Sequence, residues 1–132
     1  MKKIIAVLAV VLTAAVMQAA NKMTFVVGGS EEVYNLIKVI NETSVDEITC
    51  RVVIVEDDDN VADVYGIYNL KGFKDSDSHT NRIHRGTKLG IQLPKDFEEQ
   101  LSFDVEYVDR PLFIDYIVIH LRDNDSRFDD KL

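Results

Sequence analysis

The sequence predicts an all-β fold: a two-sheet antiparallel sandwich of about seven strands behind an N-terminal signal peptide. Three observations predict it. Short apolar segments recur with period-2 alternation, the pattern of half-buried strands. Polar turns separate them roughly every ten residues, as in sandwiches and barrels. The opening residues follow a different logic, that of a secretion address.

That address has three parts. Met1-Lys2-Lys3 is a basic start. Ile4 to Met17 is an apolar run broken only by Thr13. Gln18-Ala19-Ala20 closes it with small residues, and cleavage is expected after Ala19 or Ala20. The run is shorter than the roughly 20 residues that a bilayer span needs. No cysteine lies near the cut, which argues against a lipid-modified start. The expected organisation is a signal peptide over 1–20, a sandwich domain over 21–122 and an acidic tail over 123–132. The expected location is periplasmic or secreted, with no stable membrane insertion after cleavage.

The chain has 132 residues, 15 Lys+Arg against 23 Asp+Glu, and a formal charge of −8. Residues 1–20 hold two of the basic residues and none of the acidic ones, so the remaining 112 residues carry −10. Nucleic-acid affinity rests on clustered Lys and Arg, so a nucleic-acid partner is excluded at this stage. Adsorption to an anionic membrane surface is disfavoured for the same reason. Hydrophobic residues make up 46% of the chain, enough for one packed core.

The elements follow in order. Met23–Val27 is a first strand, closed by the turn Gly28-Gly29-Ser30. Val33–Ile40 reads as a strand, against a helical alternative carried by Val33, Leu36, Ile37 and Ile40. Asn41–Asp46 is a hairpin loop into the strand Glu47–Val55. Glu56–Asn60 is an acidic turn. Val64–Leu70 is a strand whose Gly66 marks a bulge. Lys71–Asn81 is the longest polar stretch and reads as a loop. Arg82–Leu93 alternates apolar and polar residues toward its end, and Pro94–Gln100 turns the chain with one helical turn. Leu101–Tyr107 has the cleanest alternation, one core face and one wet face. Phe113–Leu121 is almost continuously apolar, which suits a central strand. Pro94 and Pro111 both fall in turns, where a missing N–H costs nothing. In general terms the pattern is similar to immunoglobulin-like or related Greek-key sandwiches, and to calcium-dependent ones. The resemblance covers architecture only and carries no residues across.

Chemistry is sought in the loops. Aspartates cluster at Asp57-Asp58-Asp59, at Asp75 and Asp77, and at Asp123, Asp125, Asp129 and Asp130. Hard cations take several oxygen ligands at once, so Asp57, Asp58, Asp59, Asp75 and Asp77 are candidate Ca²⁺ ligands if two loops share an end of the sandwich. Asp75-x-Asp77-x-His79-x-Asn81 resembles the start of a calcium loop, but Thr80 and Gly86 stand where an EF-hand needs glycine and glutamate. The alternative is solvated acidic loops. His79, His84 and His120 lack the spacing of a zinc site. Cys50 is the one cysteine; alternation places it with Ile48, Val52 and Ile54, as a small core residue. No nucleophile elbow, phosphate loop or dinucleotide fingerprint is present, and no cofactor is expected apart from Ca²⁺.

There is no Trp to form a carbohydrate platform. Tyr65, Tyr68, Tyr107 and Tyr116 read mainly as core. Phe73 is different: it sits in a polar loop between Lys71-Gly72 and Lys74-Asp75. With Arg82 and Arg85 it forms the candidate partner-binding set. The expected function is a non-enzymatic exported binding module that recognises a protein or another extracellular macromolecule through end loops. A Ca²⁺-stabilised module and a small secreted inhibitor of a hydrolase are the alternatives.

Overall fold

The computed structural model describes residues 23–97, 99–110 and 114–124. The expected signal segment, Pro111 and the tail beyond Asn124 lie outside them. The described residues form ten strands: β1 (Thr24–Val26), β2 (Val33–Tyr34), β3 (Leu36–Glu42), β4 (Glu47–Val55), β5 (Val61–Lys71), β6 (Ser76–His79), β7 (Ile83–His84), β8 (Lys88–Gln92), β9 (Leu101–Val108) and β10 (Tyr116–Asp123). One sheet runs β1-β8-β4-β5, the other β6-β3-β10-β9, and β2-β7 is a small ribbon. Among the described residues the only helical piece is a 3₁₀ turn at Lys95–Phe97.

The chain is all-β and its two main sheets share one core, as a sandwich does. Ile48, Cys50, Val52, Tyr68, Leu70, Leu89 and Ile91 come from one sheet. Ile37, Val39, Leu101, Ile117, Ile119 and Leu121 come from the other. The strand over Val33–Ile40 forms, broken at Asn35 into β2 and β3. The segment Arg82–Leu93 is likewise broken, by a turn with Gly86 at φ 92°.

One pairing corrects the all-antiparallel expectation. β10 runs parallel to β3, with Ile117 opposite Ile37 and Ile119 opposite Val39, and antiparallel to β9. Alternation fixes which face a side chain takes but not which strand lies alongside. β10 is central, as its apolar run implies.

A bulge sits where glycine suggested one, though the extra residue is its neighbour. The β4–β5 register passes from Val52↔Gly66 to Val53↔Val64 and skips Tyr65. The bulge turns Tyr65 into the core, 6% exposed, and leaves Ile67 outside, 50% exposed. Strict alternation would have put both on one face.

β6 lies in the stretch read from sequence as a loop. Its inward residues do not fill the core; they serve the free edge of β5. The Asn81 side chain donates to the Tyr65 carbonyl (3.2 Å) and His79 Nε2 donates to the Ile67 carbonyl (2.6 Å). The Asn69 amide donates to Asp77 (3.2 Å) and the Lys71 amide to Asp75 (2.6 Å). Every second residue from 65 to 71 thus meets every second residue from 81 down to 75. This is an antiparallel ladder whose rungs are side chains on one rail and backbone on the other. It closes the sandwich along one side and satisfies edge groups that would otherwise invite another strand.

The ladder explains Gly66. A Cβ there would lie 2.7 Å from His79 Cγ and 2.8 Å from Cδ2. The ring is held from above by Ile67 and edge-on by Tyr68, whose ring centroid is 4.5 Å away. Tyr68 is fully buried, and its hydroxyl crosses the core to the Ile37 carbonyl (2.9 Å).

Candidate functional site

The turn between β5 and β6 holds the most exposed large hydrophobic residue among the described residues, Phe73, at 68%. Two residues beside it take left-handed backbone: Gly72 (φ 86°) and Lys74 (φ 68°). Glycine does so freely; lysine does so at a cost and needs the surroundings to hold it.

The surroundings do hold it. Gly72 N–H donates to the Asp46 carbonyl, and Lys74 N–H to the Asn41 carbonyl (2.6 Å). Asn41 N–H donates to the Asp75 carbonyl (2.8 Å). The Asn41 side chain, fully buried, donates to the carbonyls of Gly72 (3.1 Å) and Val45 (2.9 Å). Its own carbonyl accepts from Thr43 N–H (3.0 Å) and Thr43 Oγ1 (2.6 Å). Asn41 therefore ties two neighbouring turns together with every polar atom it has.

Charge fixes the next residue along. Lys74 Nζ lies 2.6 Å from Glu42 and 5.4 Å from the Phe73 ring centroid. Glu42 also meets Arg122 (3.1 Å) and His120 Nδ1 (3.1 Å). His120 Nε2 meets Glu106 (2.9 Å), and Arg122 meets Asp104 (2.7 Å). The hydrogen bond from Lys74 holds the Glu42 carboxyl below its ordinary range against the opposing effect of burial, and Arg122 and His120 add to it. Phe73 thus stands on a wired platform. Burying such a side chain is worth about 2 kcal/mol, which this turn forgoes.

The other predicted residues lie elsewhere. Arg82 and Arg85 follow the far end of β6, where Arg85 pairs with Glu32 at 3.3 Å. The rungs from Tyr65 to Lys71 separate them from Phe73, about 20 Å of strand. The structure does not bring the three together.

The candidate calcium ligands are also apart. Asp57, Asp58 and Asp59 occupy the turn before β5, whereas Asp75 lies beside the last residue of β5. Asp58 is engaged with Asn60 (2.6 Å) and Asp59 with Lys88. Asp75 and Asp77 each hold a backbone amide of β5. Among the described residues no group of three or more His, Cys, Asp or Glu is placed to hold a metal ion. Asp75, Asp77, His79 and Asn81 each hold a backbone group of β5, so the repeat caps a strand edge.

Cys50 is buried in the core, and burial pushes its thiol up to about 12, with Asp77 adding to the effect. It remains a neutral thiol at ordinary pH. Gly28-Gly29 is more than a turn. Gly28 N–H donates to the Tyr107 hydroxyl (2.8 Å) and the Tyr34 hydroxyl donates to the Gly28 carbonyl (3.1 Å). Gly29, at φ 79°, has no room for a Cβ beside those two rings. Sequence reasoning missed Asn41 and Glu42, which position the Phe73 turn; a polar residue at an inward-facing strand position was the available signal for Asn41.

No family model matches the chain, and neither a curated protein nor a solved structure shows significant similarity to it.

Proposed function

We propose that the protein is an exported, non-enzymatic sandwich that binds a macromolecular partner through the β5–β6 turn, with Phe73 as its anchor. One observation carries this reading: the most exposed large hydrophobic side chain among the described residues sits on a turn held by part-buried hydrogen bonds and two left-handed residues. An aromatic that is already ordered loses little freedom on binding, so its contact area translates efficiently into affinity. Lys71 flanks it and favours a partner surface with acidic groups around an apolar pocket. Arg82 and Arg85 take part only with a partner long enough to follow β6. Export rests on the signal-like residues 1–20, and immunoglobulin-like connectivity remains the finer proposal for the fold.

A photo-reactive phenylalanine placed at position 73 tests the reading in the source cell. Position 67, exposed on the outer face of β5, is the control. A discrete adduct from position 73 and none from position 67 is expected. Equal, diffuse labelling from both would remove the idea.

A further inference from the structure

A second feature lies on the outer face of the β6-β3-β10 sheet. It is a shallow depression of about 340 Å³ lined by Leu36, Lys38, Ser76, Ser78, Ile114 and Tyr116. The register builds it. Lys38 lies directly opposite Ser78 on one side and Val118 on the other. Ser76 is two pairs further along, opposite Ile40, and Tyr116 faces Leu36 on the other side of Lys38. Directly opposed side chains on one face stand about 5 Å apart, and diagonal ones about 7 Å. Lys38, Ser78 and Tyr116 therefore converge.

The chemistry of this cluster is unbalanced. The Lys38 ammonium, the Ser76 and Ser78 hydroxyls and the Tyr116 hydroxyl form no hydrogen bond or ion pair with the described residues. All four are donors, and the ammonium is only a donor. Asp77 also borders the depression, but its two oxygens are engaged by the Ser78 and Asn69 amides. Elsewhere on this sheet the cations are matched: Lys74 and Arg122 are paired with Glu42 and Asp104. Lys38 is thus an unmatched, half-buried positive charge in a chain of net −8. The side walls are apolar, from Leu36, Ile114 and the Tyr116 ring.

We propose that this depression binds a hexuronate, the carboxylate-bearing ring of an acidic glycan. Its carboxylate accepts from Lys38 and from the Ser76 and Ser78 hydroxyls. Its C–H face lies against the Tyr116 ring, with Leu36 and Ile114 beside it. The volume is at the low end for ligand sites and fits one ring. A sugar suits the site better than an acyl chain, because hydroxyl groups occupy two of its strands. The binding is non-covalent and rests on geometry independent of the Phe73 reading.

Amide chemical shifts of the whole protein, titrated with free galacturonate, test it. Galactose and N-acetyl-leucine are the comparison ligands. Saturable, millimolar shifts at Lys38, Ser78 and Tyr116 with the uronate are expected, with none from galactose. Lys38→Met keeps the aliphatic stem, so it should keep the spectrum and weaken binding at least tenfold. Tyr116→Leu should weaken it severalfold while leaving Lys38 in place. Absence of saturable shifts overturns the proposal. So does equal binding of galactose, binding of N-acetyl-leucine alone, or unchanged affinity in Lys38→Met.

Discussion

Gly66→Ala should be far more damaging than one methyl group suggests, and only because of His79. Gly66 does not have positive φ, so alanine meets no backbone penalty there. The added carbon would sit 2.7 Å from His79 Cγ, where ordinary contacts begin near 3.4 Å. The ring would have to retreat by about 0.7 Å. It has nowhere to go, since Nε2 is bonded to the Ile67 carbonyl at 2.6 Å and Tyr68 packs edge-on against it. Overpacking of this kind costs about 1–3 kcal/mol, and losing the hydrogen bond adds about 1. The sum is about 2–4 kcal/mol, or a fall in melting temperature of roughly 10 °C or more for a domain this size. His79→Ala removes the obstacle. In that background Gly66→Ala should cost under about 1 kcal/mol, leaving a coupling energy of about 2 kcal/mol. Urea unfolding of the four proteins in the cycle measures it. Equal costs in both backgrounds would refute the claim that His79 is why position 66 is glycine.

Further outcomes follow from the neighbouring groups. Asn41→Ala should cost about 3 kcal/mol in urea unfolding, because it leaves the half-buried Val45 and Gly72 carbonyls and the buried Thr43 without their partner. It should also weaken partner capture with Phe73 untouched. Phe73→Ala should leave the melting curve unchanged within error, since the side chain is 68% exposed, yet abolish capture. The hydrogen bond from Lys74 holds the Glu42 carboxyl below the ordinary glutamate range, so its contribution is full above that range and is lost as pH falls through the folded value. The stability gap between the native chain and Glu42→Gln should therefore be constant near pH 6–7 and close on acidification below about 4.5, in denaturant titrations at each pH. Cys50, with its thiol at about 12, should resist a thiol reagent at pH 8 in the folded protein and react at once in denaturant.

Much of the fold was readable because most strands announce themselves through the core. Leu101–Tyr107 and Glu47–Val55 put apolar residues at alternate positions, and the strands formed are Leu101–Val108 and Glu47–Val55. β6 was illegible for the opposite reason. Its alternation pits Asp75, Asp77 and His79 against Ser76 and Ser78, and neither set is apolar. The inward set is chosen for hydrogen bonding to a neighbouring backbone, a job that hydrophobic patterning cannot reveal and that looks like cation ligation. Phe73 was visible as an aromatic in a polar stretch. Its platform was not, because Asn41 and Glu42 lie some thirty residues earlier and reach it only through the fold. The separation of Phe73 from Arg82 and Arg85 was hidden likewise: a loop would have let them meet, whereas a strand holds them apart.

The parallel partnership of β3 and β10 has a consequence in time. Each matched pair along it, such as Ile37 with Ile117, is 80 residues apart in the chain. Closing a loop of that length costs about 4 kcal/mol of chain entropy before any contact repays it. A chain made from its N-terminus has β3 in hand long before β10 exists, so the middle of this sheet waits for the last of the described strands. Folding then becomes a late, all-at-once event, slow for the length of the chain because its decisive contacts are so distant.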